Sequence, residues 1–210
     1  MQKTNLILVG GGGHCKSVID VAEGLGLHIA GILDTSENIG KRILGYEIIG
    51  DDTLIPDFAN KACFVVTVGH IKDAALRIRL HEKIKSANGQ LATLVATDAH
   101  VSVHAHIGEG TVVLHQAVIN ADARLGTGCI INTMANIEHD AIVGNYCHIS
   151  TGAMVNGNCK VGNETFIGSG TVLANGISVA ANTVVAASAF VRKDIKISGI
   201  YAGNPAIKYK

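Results

Sequence analysis

A six-residue repeat of aliphatic side chains dominates the second half of the chain. Every sixth residue from Val95 to Val191, 17 positions in all, is Val, Ile or Leu. A second series, from Ala99 to Ile195, follows four residues behind, and fifteen of its 17 members are Ala, Thr or Cys. A period of six does not match the 3.6-residue turn of an α-helix, whereas an even period suits strands with alternating side chains. The pattern therefore predicts short strands.

Three such hexads make one triangular coil of 18 residues, and successive coils would stack as parallel strands about 4.8 Å apart. The large aliphatic residue of each hexad would fill a face, and the small residue would fit near a corner. The 16 hexads from Val95 to Phe190 give a little over five coils without an inserted loop. The second half of the chain is therefore predicted to be a parallel β-helix.

The first 94 residues have a different pattern, in which strand-like and helix-like segments alternate. Such alternation indicates a small α/β domain with a parallel sheet. The predicted segments are strands at 6–10, 28–34 and 63–69 and helices at 14–26 and 72–88.

These patterns divide the chain into three parts. We expect an α/β domain at 1–94, the β-helix at 95–195 and a basic C-terminal tail at 196–210.

Four consecutive glycines, Gly10–Gly13, stand between the first predicted strand and the first predicted helix. Free backbone N–H groups at a helix start attract anions, so this loop suits a phosphate or a nucleotide, although a plain tight turn would look the same. The G-x-G-x-x-G fingerprint is incomplete because Cys15 occupies its last glycine position. A complete dinucleotide domain would also need a longer chain, so NAD is not expected.

Composition and charge narrow the function further. The chain is 48% hydrophobic but only 4% aromatic, which suits a narrow coil filled by small and aliphatic side chains. Its formal net charge of zero argues against a general nucleic-acid binder. This neutrality combines an acidic β-helix with a basic end, where 191–210 hold five Lys or Arg and one Asp. That end could attract a ligand with anionic phosphates, or it could simply be a solvated tail.

The expected compartment is the reducing cytoplasm. No signal peptide is recognised at the start, and no apolar run approaches the length needed to span a membrane. The five cysteines have no disulfide-framework spacing. Cys129 and Cys147 are one coil apart and could stack in a corner, where thiols are expected rather than a disulfide.

Five short segments accompany the hexads, and together they make the chain resemble a known enzyme family. That family is the bacterial hexapeptide-repeat sugar O/N-acyltransferases of the sialic-acid O-acetyltransferase type. The resemblance is closest to N-acetyltransferases that act on nucleotide-linked 4-amino-4,6-dideoxysugars. The segments are LVGGGGH at 8–14, ILD at 32–34, NTMANIEHD at 132–140, YCHIS at 146–150 and GNPA at 203–206.

The resemblance implies a Rossmann-like nucleotide-binding domain followed by a left-handed parallel β-helix. It also implies a homotrimer whose active sites lie in clefts between neighbouring chains. The expected cosubstrate is acetyl-CoA, the expected partner is a nucleotide-linked amino sugar, and no metal, nucleic acid or membrane is expected.

The resemblance assigns roles to individual residues. His139 matches the family's general base, and Asp140, where the family often has Glu, would orient it or raise its basicity. Acetyl-CoA contacts are implied for His148, Gly157, Ser169 and Ala187. Contacts to the sugar nucleotide are implied for Gly12, Gly13, His14, Asp34 and Gly69.

The predicted reaction is acetylation of the 4-amino group of a UDP- or dTDP-linked amino-dideoxysugar, by direct attack on the thioester. One alternative is a sialic-acid-type O-acetyltransferase with the same base and donor. Another is a zinc enzyme like the γ-class carbonic anhydrases, suggested by His100, His104 and His106. A purely structural β-helix is a third class, which the α/β domain and the catalytic segment disfavour.

In the predicted helix at 72–88, the apolar side is expected to hold Ala75, Ile78 and Ile84. Arg77 and Arg79 are interpreted as solvated charges, although they could approach phosphates. The remaining histidines are interpreted as surface or packing residues: His28, His70, His81 and His115.

Overall fold

The α/β domain is built on one six-stranded sheet. The computed structural model describes residues 5–209 of the chain. The strand order is β3-β4-β2-β1-β5-β6, and all neighbours run parallel except β3 and β4. The strands are β1 (Asn5–Val9), β2 (His28–Leu33), β3 (Arg42–Ile43), β4 (Tyr46–Gly50), β5 (Cys63–Val66) and β6 (Gln90–Leu91). The α-helices are α1 (Gly13–Gly24), α2 (Ile55–Phe58) and α3 (Ala75–Ser86), and 3-10 turns lie at Ser36–Asn38 and Asp52–Leu54.

This domain confirms the predicted strands and helices, with ends shifted by a few residues. The hairpin of β3 and β4 was not predicted. It turns through Leu44 and Gly45, both with positive φ, and β4 then joins the sheet beside β2. Buried and partly exposed residues follow one another irregularly along β4. Its sequence therefore lacks the continuous apolar run that reveals β1.

The predicted β-helix begins at Leu94 and has three faces of stacked two-residue strands, all parallel. The first face holds β7 (Leu94–Val95), β10 (Val112–Val113), β13 (Ile130–Ile131), β16 (His148–Ile149), β19 (Phe166–Ile167) and β22 (Val184–Val185). The second holds β8 (His100–Val101), β11 (Val118–Ile119), β14 (Asn136–Ile137), β17 (Met154–Val155), β20 (Val172–Leu173) and β23 (Phe190–Val191). The third holds β9 (His106–Ile107), β12 (Arg124–Leu125), β15 (Ile142–Val143), β18 (Lys160–Val161) and β21 (Ser178–Val179).

From Gly110 to Ser188, each corner of the β-helix turns through a residue with positive φ. These residues recur every six positions without a break from Gly110 to Ser188, and many are not glycine, among them Asp140 with φ 61°. The backbone N–H of the turn residue bonds to the coil before it, as Asp140 N does to the carbonyl of Ala121 at 3.1 Å. The corner geometry therefore comes from stacking as well as from residue type.

The small residues of the hexad lie inside the corners, as predicted. Cys129, Cys147 and Cys159 are fully buried there, and each thiol faces a backbone carbonyl of the next corner, 3.0 Å away for Cys147 and Gly162. All five cysteines are free thiols. In the corners, Cys129, Cys147 and Cys159 serve as compact fillers of the β-helix core.

The C-terminal segment adds to the β-helix. A strand at Ile200–Ala202 (β24) pairs with β22 on the first face, and Ile207–Lys208 (β25) folds back antiparallel to it. Of the basic residues of this end, Arg192, Lys193, Lys196 and Lys208 are exposed, and Lys210 lies outside the described residues. Within residues 5–209, no helix is long and apolar enough to cross a membrane.

One hydrophobic cluster spans the two domains. The buried side of α1, with Cys15, Val18 and Ile19, belongs to the same apolar cluster as Leu94 and Val112 at the start of the first face. A large apolar contact between domains fixes their relative orientation. The glycine loop before α1 is thereby held over the first face.

Arg77 makes the second connection between the domains, from a fully buried position. Its Nε donates to the carbonyl of Gly128 at 2.8 Å, and Nη2 lies 3.5 Å from that of Gly110, both in the β-helix. Its Nη1 donates to the carbonyls of Val66 (2.6 Å) and Val68 (2.9 Å) in the α/β domain. Burial lowers the pKa of Arg77 to about 10, so the guanidinium remains charged at neutral pH.

Arg77 corrects the interpretation of α3. The sequence prediction treated Arg77 as a solvated charge and put Ala75 and Ile78 on the apolar side of the helix. In the structure Ala75 is exposed and Ile78 is half-buried, whereas Arg77 lies on the buried stripe with Leu80 and Ile84. The four carbonyls supply the hydrogen bonds that make this burial possible.

We predict that Arg77→Met destabilises the protein by about 3 kcal/mol or more, because buried carbonyls would lose their donors at about 1–3 kcal/mol each. Urea unfolding followed by circular dichroism measures this loss. Arg79→Met, at an exposed position of the same helix, is the matched control and should stay within about 0.5 kcal/mol of the wild type. Equal stability of the two variants would contradict the role of Arg77.

Candidate active site

The glycine loop has two glycines that the fold requires and two that it does not. Gly10 has φ 113°, and a Cβ there would lie 2.5 Å from Cγ2 of Val68. A Cβ on Gly11 would overlap with the Asp34 carboxylate. At Gly12 and Gly13 an added Cβ would meet no atom within 4 Å. The bare backbone of Gly12 and Gly13 therefore faces open space.

Helix α1 starts from this open backbone. Gly12 is its N-cap and offers no side-chain hydrogen bond to the first turn, which contains no acidic residue. The unpaired N–H groups and the helix dipole make this end attractive to an anion. Cys15, which replaces the last glycine of the fingerprint, is buried beneath the loop.

Asp34 is bound to the same loop. Its Oδ2 accepts a hydrogen bond from the backbone N–H of Gly11 at 3.1 Å, and its Oδ1 accepts from that of Thr35 at 2.7 Å. The side chain of Asn38 adds a longer contact of 3.4 Å. The carboxylate is therefore held at the carboxyl end of β2, beside the glycines.

A pocket of about 520 Å³ lies above the loop and reaches the β-helix. Its lining comes from both domains: Gly10, Gly11, Gly12, Gly13, His14, Asp34, Thr67, Val68, Gly69, His70, Ile71 and His148. A second pocket of about 330 Å³ shares Gly10, Asp34 and Val68 with it and continues toward Asp51, Asp52 and Arg79. The two form one cleft at the carboxyl ends of the parallel strands, the usual ligand position in such sheets.

Three imidazoles line the larger pocket, and all three are neutral at pH 7. Burial is the main reason that the pKa falls to about 3 for His14 and to about 4 for His70 and His148. The nearby Arg77 guanidinium lowers each of them further. Neutral imidazoles can donate and accept hydrogen bonds but bring no charge to the pocket.

His148 is held in one tautomer. Its Nδ1 donates to the backbone carbonyl of His70 at 2.8 Å, so Nε2 carries the lone pair and faces the amide nitrogen of Asn132 at 3.3 Å. Its ring also packs edge-on against Phe166 at 5.1 Å between centroids. This arrangement joins the α/β domain to the first face at the pocket.

His139 and Asp140 form a pair at a different corner of the β-helix, between β14 and β15. Nδ1 of His139 lies 2.7 Å from Oδ2 of Asp140, and both side chains are at least half exposed. The pKa of His139 is raised above its ordinary value, first by this hydrogen bond and then by the charges of Asp140 and Glu138. Nε2 remains free to exchange a proton with a substrate.

Gly157 provides the surface on which His139 lies. It stands one coil after His139, and a Cβ there would come within 2.9 Å of both Cε1 and Nε2 of the imidazole. Its backbone has ordinary φ, so the requirement is for space rather than for a special conformation. Any larger residue would displace the ring from Asp140.

Comparison with known proteins supports one family along the whole chain. The family model of the PglD N-terminal domain matches residues 5–84. The acetyltransferase domain of PglB from Neisseria gonorrhoeae FA1090, in complex with acetyl coenzyme A, is 31% identical with a TM-score of 0.91, and the match covers 98% of this chain and 99% of that one. Comparison with curated protein sequences finds no match.

Two further solved structures extend the match. PerB from Caulobacter crescentus, in complex with CoA and GDP-perosamine, is 31% identical with a TM-score of 0.90, over 97% of this chain and 96% of that one. The chain belongs to the hexapeptide-repeat nucleotide-aminosugar N-acetyltransferases. WeeI from Acinetobacter baumannii AYE is 19% identical, with a TM-score of 0.88 over 98% of this chain and 99% of that one, and it shares the fold.

In this N-acetyltransferase, the structure collects the residues predicted for the sugar nucleotide. Gly12, Gly13, His14, Asp34 and Gly69 all line the larger pocket. His148, predicted to contact acetyl-CoA, lines it as well.

The other residues predicted for the N-acetyltransferase site are divided between two corners. Gly157 lies under His139, between the second and third faces. Ser169 and Ala187 are exposed at the corner between the first and second faces, where Ser169 Oγ lies 2.9 Å from Oγ of Ser150. Within one chain these groups do not converge.

Sequence reasoning missed three residues of the N-acetyltransferase pocket region. His70 was interpreted as a surface or packing residue and Arg77 as a solvated charge, and Asn132 was quoted only as part of a motif. The signal for Arg77 was available, because it precedes Leu80 and Ile84 by three and seven residues on one helical stripe. His70 carried no comparable signal, since its burial depends on the β-helix that packs beside it.

The histidines considered for zinc do not form a site. His100, His104 and His106 are exposed on the first coil. Among residues 5–209, no group of three or more His, Cys, Asp or Glu side chains is arranged to hold a metal ion.

We predict that Asp140→Asn lowers the pKa of His139 toward its ordinary value, because a neutral amide removes the negative charge at Nδ1. An NMR titration of the His139 Cε1–H resonance measures the change. Asp122→Asn is the matched control, since Asp122 occupies the equivalent turn one coil earlier and also has positive φ. A His139 pKa that responds equally to both substitutions would contradict the pairing.

Proposed function

We propose that this enzyme transfers the acetyl group of acetyl-CoA to the 4-amino group of a nucleotide-linked amino-dideoxysugar, with His139 as the general base. The observation that carries the proposal is the combination of an open glycine loop with an exposed His139–Asp140 pair, on a fold shared with acetyltransferases. Two relatives support the substrates: PglB of N. gonorrhoeae binds acetyl coenzyme A, and PerB of C. crescentus binds CoA and GDP-perosamine.

The geometry supports direct transfer without an acyl-enzyme. Nε2 of His139 removes a proton from the sugar amine as its nitrogen attacks the thioester carbonyl carbon. Asp140 accepts the Nδ1 hydrogen bond and stabilises the imidazolium that forms. When the tetrahedral intermediate collapses, the C–S bond breaks, the CoA sulfur takes the proton from the imidazolium, and the amide is released. A base of this kind contributes about 10²–10⁴ in rate.

The two joined pockets suit a sugar nucleotide. The diphosphate would lie over Gly12 and Gly13, where backbone N–H groups are free. The nucleoside would extend past Asp34 into the smaller pocket, and the sugar would point toward His148. This direction brings the amino group to the β-helix.

A neighbouring copy of the chain would complete the site. His139 does not line either pocket among the described residues, and it belongs to a different corner from His148. We therefore propose a homotrimer in which the pocket of one chain faces His139 of the partner subunit. Exposed apolar side chains on the β-helix, such as Met134, Ile142 and Met154, support contacts between copies. The five free thiols suit the reducing cytoplasm as the place of action.

We predict that the purified protein releases CoA thiol from acetyl-CoA in the presence of at least one UDP-, dTDP- or GDP-linked 4-amino-4,6-dideoxysugar. His139→Gln should lower kcat by about 10²–10⁴, because the amide cannot act as the base. Thiol release and mass spectrometry of the product measure both effects. His28→Gln is the control, since His28 is exposed in the α/β domain and pairs only with Asn5 there.

No turnover with any of these nucleotide sugars would overturn the proposed function, and acetylation of a sialic acid hydroxyl instead would favour the O-acetyltransferase alternative. Full turnover by His139→Gln would remove His139 as the base.

We predict that two inactive variants complement each other if the site is shared between chains. Mixed trimers of His139→Gln and His148→Ala chains contain some clefts in which both histidines are intact. Random 1:1 assembly, after dissociation and reassociation of the two variants, should recover roughly a quarter of wild-type turnover. Sedimentation should give about three times the mass of one chain. A monomer, or mixtures as inactive as the separate variants, would contradict the shared site.

A further inference from the structure

His70 is a buried imidazole that the proposed mechanism does not use. It is 8% exposed, and within residues 5–209 neither Nδ1 nor Nε2 has a hydrogen-bond partner. Buried polar atoms are almost always paired in folded proteins, so an unpaired ring calls for an explanation. His70 lines the larger pocket, where a ligand can supply the missing partner.

The position of His70 separates it from the phosphate-binding backbone. It follows Gly69 in the loop after β5, and its carbonyl accepts the Nδ1 hydrogen bond of His148 at 2.8 Å. Its ring lies 5.7 Å from that of His148, between centroids. The side chain is therefore at the β-helix end of the pocket, whereas the smaller pocket continues from the other end, at Asp34.

The surroundings of His70 make it a neutral hydrogen-bonding group. Burial, together with the nearby His148 and Arg77 and against a smaller opposing effect of Asp73, lowers the pKa of His70 to about 4. A neutral imidazole offers one donor and one acceptor. This pair matches a hydroxyl group, which also donates and accepts, better than it matches a phosphate or an ammonium group.

We propose that the His70 imidazole binds a hydroxyl group of the hexose and thereby selects a nucleotide-linked sugar over the free nucleotide. The inference rests on the proposed function, because it places the sugar at the β-helix end of the cleft. Binding would satisfy a polar group that the fold leaves unpaired. A site that is built to pair a hydroxyl rejects ligands that lack it, because its own groups then stay unpaired.

Calorimetric titration without acetyl-CoA tests this role. The ligands are the UDP-, dTDP- or GDP-linked 4-amino-4,6-dideoxysugar that the wild type acetylates and the corresponding free UDP, dTDP or GDP. His70→Phe keeps the ring shape and the backbone carbonyl that holds His148, but it removes both nitrogens. We expect the Kd for the nucleotide sugar to rise about tenfold, the loss of about one hydrogen bond, while the Kd for the free nucleotide stays within about twofold. His70→Asn, which keeps a donor and an acceptor, should recover part of the loss.

The matched control is His81→Phe. His81 is also a buried imidazole whose ring nitrogens lack partners in the described chain, but it packs against Tyr146 outside the pocket. In His81→Phe, the ratio of the Kd for the nucleotide sugar to the Kd for the free nucleotide should equal the wild-type ratio. The unchanged binding of free nucleotide by His70→Phe also shows that this variant is folded.

Two results would overturn the role of His70 alone: an unchanged ratio in His70→Phe, or an equal loss of the free nucleotide and the nucleotide sugar. A wild type that acetylates no nucleotide sugar would overturn the proposed function, and the role of His70 with it. Turnover by the wild type together with an unchanged ratio leaves the proposed function standing. A failure of the His70 role can therefore be distinguished from a failure of the proposed function.

Discussion

The buried guanidinium of Arg77 is the interaction on which the geometry of the cleft depends. It donates to carbonyls of Val66 and Val68 on one side and to that of Gly128 on the other, so one side chain fixes the end of β5 against the β-helix. The loop that follows β5 carries Gly69 and His70 into the pocket. With the apolar contact of α1, this bond network places the glycine loop and His148 around the same space.

The same buried charge divides the histidines by function. His14, His70 and His148 are buried near Arg77, so their pKa values fall and their imidazoles are neutral at pH 7. His139 stands in water beside two carboxylates, and its pKa rises. One residue type thus supplies a proton acceptor at one corner and uncharged binding groups at another, because burial and neighbouring charge act in opposite directions on the imidazole.

The stacking of the β-helix determines the precision of the corner that holds His139 and Asp140. Asp140 occupies a turn position that repeats every six residues with positive φ, a conformation that Asp tolerates better than most residues. This turn directs its carboxylate to the preceding imidazole, and the coil above supplies Gly157 as a flat surface. The geometry of the His139–Asp140 pair therefore depends on residues that are adjacent in the stack and 18 positions apart in the sequence.

The sequence by itself determined the β-helix, its coil length, the small corner fillers and the α/β arrangement of the first part, because all of these repeat locally or alternate in hydrophobicity. It also determined that His139 and Asp140 are adjacent in the chain, and the resemblance assigned the glycine loop to contacts with the sugar nucleotide. The tertiary structure alone decided the burial of Arg77, the unpaired ring of His70 and the tautomer of His148. It also separated His139 from the pocket of its own chain. These features arise where the two domains meet, and a contact between distant segments leaves no period in the sequence that could reveal it.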